Sequence, residues 1–458
     1  MALKVGMISL GCAKNLINTE QMMFLLNEAG FDVSGKVDSA DVVVVNTCGF
    51  IESAKAEAIE TILELGTVKA EGGIGKLVVA GCLPQRYKDE ILQELPEIDA
   101  VIGTGSFDEI VDVIFALELG TETKHLSPAL SYFNDINNPV SETGRIITTS
   151  PVWAYLKIAE GCDNRCAYCC IPDIRGRYRS RPFENIVSEA RELTDRGVRE
   201  LIVVAQDVTG YGFDLYDKRR LTDLLNALDG IEPLKWIRLL YLYPDGIDDE
   251  LIDVISKSGK ILKYLDIPVQ HINAGILKKM HRRGTGGEIR RLIKSLRERI
   301  PGVVLRTSLI TGLPGEGDRE FDELCEFLID AKFEKAGVFA YSPEEGTSAA
   351  LMERPDTDTA LRRAELLREL QSRIMDDFNN SRIGSVTTAL IEGSVYDQRD
   401  TSVTGRKKQR PVFMARSYAE APDVDGFIFI EGRNIKANDF IDIRITGTEN
   451  GELRGEPI

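Results

Sequence analysis

The sequence predicts a mixed α/β protein of three parts: a doubly wound α/β domain, a partial (β/α) barrel and a small antiparallel β-barrel. Three observations predict it. Strand-sized apolar runs alternate with helical patterns over the first third of the chain. A longer βα series follows. From about Ser385 the apolar period changes to two, with turn residues between the runs. The chain has 458 residues, 43% hydrophobic and 28% charged. At roughly 100–200 residues per domain that length allows two to four domains, each able to bury a core without disulfides.

In the first part, Lys4–Leu10, Asp41–Asn46, Lys76–Ala80 and Ala100–Thr104 read as buried parallel strands. Helical patterns follow them at Asn15–Ala29, Phe50–Leu65, Gln85–Leu95 and Ser106–Glu118. A polar stretch, Ser127–Thr143, reads as a linker, so the first domain is set at residues 1–140. The second, residues 148–382, has candidate strands Val152–Ile158, Glu200–Ala205, Trp236–Tyr241, Lys263–Val269, Gly302–Thr311 and Ala336–Tyr341. Right-handed crossovers would put all their C-terminal ends at one mouth. In the third, residues 383–458, the runs Val386–Ile391, Ser402–Thr404, Pro411–Ala415, Gly426–Ile430 and Phe440–Ile445 alternate.

The cysteines carry the chemistry. Cys162, Cys166 and Cys169 form a CxxxCxxC string directly after the first barrel strand. Three thiolates within eight residues can close around one compact centre. A four-iron cluster held by three of them leaves one iron open. The alternative, a structural zinc site, wants a fourth nearby ligand. Cys170 adjoins Cys169, where side chains diverge, and no histidine lies near. Cys12, Cys48 and Cys82 are far apart in sequence, yet each lies just past a parallel strand of the first domain, the edge at which open α/β sheets bind ligands. They predict a second metal centre, against the alternative of three unrelated buried thiols. Cys325, within the helical stretch Phe321–Leu328, reads as core, and Gly103-Thr-Gly105 is too little for a nucleotide fingerprint.

Charge limits the partners. The formal net charge is −17, of which residues 1–147 hold −12 and residues 383–458 hold −2. A whole-surface nucleic-acid binder is disfavoured, and a basic partner fits. Arg406-Lys-Lys-Gln-Arg410 reads as a solvated loop rather than an RNA contact. No apolar run reaches the roughly 18 residues of a membrane span. The short run before Cys12 is broken by Lys4 and Gly6 and is not read as a signal peptide, so the expected location is the cytoplasm.

The CxxxCxxC string after the first barrel strand resembles that of the radical S-adenosylmethionine (SAM) enzymes. The N-terminal cysteine triad and the small C-terminal barrel narrow the resemblance to the methylthiotransferases, whose third part is a TRAM domain. The strings Ser9-Leu-Gly-Cys-Ala-Lys-Asn15, Asn46-Thr-Cys-Gly-Phe-Ile-Glu-Ser-Ala-Lys55, Gly176-Arg-Tyr-Arg-Ser-Arg-Pro182 and Arg416-Ser-Tyr-Ala-Glu-Ala-Pro422 are similar to the RimO branch. The chain departs at Ala13, where that branch often has proline, and at Cys170; the family spacing assigns the ligand to Cys169.

The resemblance implies two [4Fe-4S] clusters, SAM, and a reducing donor such as flavodoxin or ferredoxin. It implies that the substrate is an aspartate of small-subunit ribosomal protein S12, modified at its β-carbon. The tRNA-directed MiaB branch is the alternative, disfavoured because the C-terminal barrel lacks a basic field. A non-catalytic RNA-binding scaffold is a rival from another class. Two three-thiolate sites weigh against it, because structural sites normally fill every coordination position. The segment Val204-Ala-Gln206-Asp207 resembles the one that receives the SAM amino group, and Tyr168 stands where an aromatic packs on the adenine. Gln270, His271, Arg306, Ile310, Glu316 and Tyr341-Ser342 lie about the later strand ends as further candidates, each with barrel packing or a solvated loop as its alternative.

Overall fold

The computed structural model describes residues 2–118, 130–395 and 411–458. The first sheet is parallel, in the order β2-β1-β3-β4-β5-β6. Its strands are β1 (Lys4–Ser9), β2 (Asp32–Ser34), β3 (Val42–Thr47), β4 (Lys76–Gly81), β5 (Ala100–Ile102) and β6 (Leu130–Tyr132). Four consecutive valines make β3 a central strand buried on both faces. Alternate residues serve the two faces. Val42, Val44, Val78 and Ala80 pack on helices α1 (Ala13–Glu28) and α5 (Ile110–Glu118). Val43, Val45, Leu77 and Val79 pack on α2 (Glu52–Ala70) and α4 (Asp89–Glu94). The sheet is thus doubly wound, as expected.

Two local readings are corrected. The stretch expected as a linker contributes β6, an edge strand paired to β5, because its Leu130 and Tyr132 add to the apolar face. The single helix expected at Gln85–Leu95 is two, α3 (Cys82–Tyr87) and α4, broken where Lys88 adopts φ 47°.

The second sheet is an open, all-parallel partial barrel built from β7 (Trp153–Lys157), β10 (Glu200–Val204), β11 (Trp236–Leu239), β12 (Ile261–Asp266), β13 (Val304–Thr311) and β14 (Lys335–Ala340). Between the first two of these, β8 (Ala159–Glu160) and β9 (Arg179–Ser180) form a short antiparallel ribbon. It frames the CxxxCxxC loop and helix α6 (Ile171–Arg175). The convex face of the barrel packs on its own helices. Its concave face, Tyr155, Ile202, Val204 and Tyr264, is covered by Ile17 of α1 and by Leu390, Ala419 and Ala421 of the C-terminal part. The polar run Lys14–Gln21 on α1 is mostly buried as a result.

The C-terminal strands β15 (Val386–Val395), β16 (Val412–Arg416), β17 (Ile428–Glu431), β18 (Phe440–Glu449) and β19 (Glu452–Pro457) close into a barrel. It seals through one parallel pairing, β17 with β19, which alternation alone does not disclose. The run Ser402–Thr404 and the basic Arg406–Arg410 lie outside the described residues. Glu200 at the foot of β10 binds Arg238 at 2.8 Å and Arg416 at 2.7 Å, all three buried, and so clamps this barrel to the central one.

Candidate functional site

All six cysteines expected to bind metal line one cavity of about 370 Å³, between the first sheet and the barrel mouth. The topology explains this. Cys12 caps α1 just past β1, Cys48 follows β3 and Cys82 opens α3 after β4. Gly11 (φ +86°) lets the first two strand ends meet, since a Cβ there would stand 2.7 Å from Cys48 Cβ. Side chains knit the edge together. The Asn15 amide donates to Leu10 O at 3.1 Å and Thr47 O at 2.8 Å, Asn46 donates to Asn15 O at 2.8 Å, and Thr47 donates to Ala80 O at 2.7 Å.

The second triad sits on the loop between β8 and β9. Cys162 N donates to Gly176 O, Cys169 N to Cys166 O, and Ala167 N to Met280 O, which pins the loop to the far side of the mouth. Gly161 (φ +76°) begins it; a Cβ there would meet Arg177 O at 2.0 Å. Cys170 turns away. Its thiol faces Phe50 O at 3.8 Å and packs with Ile174, and it does not line the cavity, whereas Cys169 does.

Arg175 ties the halves together. It is buried, donates to Glu160 at 3.0 Å and Asn18 at 3.2 Å, binds Asn15, and approaches Cys82 Sγ at 3.4 Å. Burial opposes its charge, but Cys82 and Glu160 more than offset that and hold it protonated. Burial likewise works to raise Glu160, yet Arg175 and Lys157 hold its carboxyl well below the usual range. Gln206 completes the set, donating to Glu160 at 2.7 Å.

The thiols differ. Burial pushes Cys48 up to about 12 and Cys162 to about 11, and raises Cys82 and Cys169. At Cys12 burial is outweighed by Lys14 and Arg175, which lower it. Loading metal onto such a set must release protons.

The donor set fits an iron–sulfur cluster better than a single ion. Among the described residues, no three His, Cys, Asp or Glu side chains converge as one ion would need. Zinc draws its thiolates to about 2.3 Å from one point, whereas a cluster spreads them over its corners. Each triad offers three thiols, and the wall between them is apolar and aromatic: Phe50, Tyr168, Tyr241 and Tyr243.

Of the other expected contacts, Tyr168, Gln206 and Gln270 line this cavity. Three do not. Asp207 caps the turn Val208–Gly210 through Thr209 and accepts from Asn164 at 2.8 Å, on the wall of a neighbouring cavity. Arg306 lies only three residues into β13, is paired with Asp266 at 2.8 Å, and faces another cavity beside Asp425. Ile310 packs in an apolar cluster with Ala167, Tyr168 and Met280. His271 is fully buried, accepts from Asn273 N at 3.0 Å and stands 3.4 Å from Glu316, a packed structural arrangement. Sequence reasoning missed Lys14, Glu160, Arg175, Tyr241, Arg282 and Ser308. Of these only Lys14 carried a signal, as a near neighbour of Cys12.

Comparison with known proteins gives three matches along the chain. Residues 4–103 match uncharacterized protein family UPF0004, 156–328 the radical SAM superfamily and 383–458 the TRAM domain. Curated relatives are similar over their full length. Proteins of Pelotomaculum thermopropionicum (45% identical, 100% of each chain), Acetivibrio thermocellus (44%, 100% of this chain and 99% of that) and Clostridioides difficile (41%, 99% and 98%) are each named ribosomal protein uS12 methylthiotransferase RimO. Among solved structures, the radical SAM methyltransferase TsrM of Kitasatospora setae, with cobalamin and a [4Fe-4S] cluster bound, superposes with a TM-score of 0.57 at 15% identity, covering 77% of each chain. That likeness is one of fold.

Proposed function

The chain belongs to the ribosomal protein uS12 methylthiotransferase RimO family, and from that premise we propose that it places a sulfur and a methyl group on the β-carbon of an aspartate of that protein. It is a radical SAM enzyme, and its cofactors are [4Fe-4S] clusters and SAM. The observation that carries the reading is the convergence of six cysteines from two domains on one cavity.

In this reading Cys12, Cys48 and Cys82 hold one cluster, and Cys162, Cys166 and Cys169 the other. Bound there with SAM, they supply one-electron chemistry that takes hydrogen from an unactivated carbon, which no side chain of the cavity can do. The chain's own residues orient and exclude. Arg175 balances Glu160 and the nearby thiols between the two triads. Tyr168 offers an aromatic face for the adenine, and Gln206 and Gln270 offer amides at the mouth. Arg282 stacks over Tyr243 at 4.1 Å, donates to the Pro268 carbonyl at 2.5 Å and closes the wall beside Cys166. A flavodoxin- or ferredoxin-like donor would supply the electron. The acidic first domain suits a basic ribosomal protein, since complementary fields raise the encounter rate. Among the described residues no helix is long and apolar enough to cross a membrane.

The test offers anaerobically reconstituted enzyme both uS12 and an isopentenylated tRNA, with SAM and reductant, and reads both by mass spectrometry. A methylthio group on the aspartate is expected. One found on the tRNA, with uS12 unmodified, would sink the reading.

A further inference from the structure

Three cations line the cavity: Lys14, Arg175 and Arg282. Two are committed. Arg175 is saturated by Glu160, Asn18 and Asn15. Arg282 is held by the Pro268 carbonyl and lies over the Tyr243 ring. Lys14 is different. It is only 7% exposed. Among the described residues its ammonium makes no hydrogen bond and no ion pair, and it rests 3.6 Å from the centre of the Tyr241 ring.

A buried ammonium is costly unless it is paired, and the groups nearest this one are the Tyr241 ring and the Cys12 thiol. The surrounding fold nonetheless keeps it in place. Tyr241, two residues past β11, has φ 62°, a left-handed conformation that a bulky residue adopts only when its surroundings impose it. Asp266 fixes the Tyr241 N–H at 3.1 Å, and the Tyr241 carbonyl accepts from Val208 N. The barrel thus holds an aromatic seat under a lysine that comes from the other domain, two residues past Cys12. The uncommitted cation lies in the space the two triads share.

We propose that Lys14 is a specificity-determining residue that receives the side-chain carboxylate of the substrate aspartate. This rests on the reading above. The carbon to be modified is bonded directly to that carboxylate, so an ion pair to Lys14 would place it in the cavity between the triads. A carboxylate entering this largely apolar space needs a cation, and Lys14 is the lining cation that, among the described residues, makes no hydrogen bond or ion pair of its own. A neutral amide in its place leaves the ammonium unpaired, which is how a buried polar site rejects a near isostere.

The experiment uses the reconstituted full chain as wild type, Lys14→Met and Lys14→Arg, matched for iron content. Binding of uS12 and of uS12 with its target aspartate replaced by asparagine is measured by anisotropy, and SAM affinity is measured separately. Wild type should prefer the aspartyl protein by about tenfold or more. Lys14→Met should bind the two alike, and Lys14→Arg, which keeps the charge, should retain the preference. A preference that survives in Lys14→Met overturns the assignment. So does weakened SAM binding with the preference intact, which would give Lys14 to the SAM carboxylate. Failure of wild type to modify uS12 at all, in a parallel turnover, would instead remove the reading on which the assignment rests.

Discussion

At the residue scale, the two cysteine triads are expected to be separable. Cys166→Ala should abolish 5′-deoxyadenosine formation, because the proposed function gives radical generation to the triad on the barrel loop. Cys48→Ala should still form 5′-deoxyadenosine from SAM but give no methylthio product. Product analysis of both variants, each checked for its remaining iron, decides this; loss of SAM cleavage in Cys48→Ala with the barrel cluster intact would show that the triads do not divide the work. Arg175 makes a second case. It is buried beside Glu160, and removing one partner of a buried pair costs about 3 kcal/mol or more. Arg175→Met should therefore lower the urea midpoint of the metal-free protein. An unchanged midpoint would mean that Lys157, 3.0 Å from the same carboxylate, balances it alone.

At the scale of elements, the ribbon β8/β9 sets the geometry of the CxxxCxxC loop. Gly161 turns the chain out of β8 at φ +76°, with Arg177 O where a Cβ would be. Backbone, not a flexible side chain, occupies that space, so the loop itself must shift. Gly161→Ala should cost at least about 1–2 kcal/mol for the left-handed conformation alone. It should also disturb the barrel cluster while sparing the other. Iron counting and the electron paramagnetic resonance of each cluster would read this, and an unaltered barrel cluster would count against a shaping role for the ribbon.

At the scale of the whole molecule, the C-terminal barrel is joined to the rest by buried ion pairs. Arg382 binds Glu420 at 2.5 Å, and Glu420 also accepts from Ser417 N at 2.9 Å. Burial works to raise the Glu420 carboxyl, but Arg382, Lys335 and Ser417 bring it down to about 2. The sign follows from that lowered value. The stabilisation is fully present above the unfolded carboxylate range, near pH 4.5, and is lost as pH falls towards 2. It amounts to about 3 kcal/mol. Glu420→Gln should thus be less stable than wild type at neutral pH, and its stability should fall less between pH 4.5 and 2. Denaturant unfolding at several pH values checks it; parallel pH curves for the two proteins would rule the linkage out.

Much of the site was legible before any coordinates. Four valines at Val42–Val45 can only be a strand buried on both faces, and a parallel strand fixes where the residue after it emerges. The sequence by itself therefore determined the three-part architecture and set Cys12, Cys48 and Cys82 at one sheet edge and Cys162, Cys166 and Cys169 at a barrel mouth. Periodicity reports which face of an element is buried, not which other domain buries it. That the two edges open onto one cavity was decided by docking, through pairs such as Arg175 with Asn15, far apart in sequence. Docking buried the polar run of α1 and left Lys14 facing Tyr241. The same tertiary packing gave Asp207, Arg306 and Ile310 other partners, because a strand-end position fixes neither where a side chain points nor which charge reaches it first.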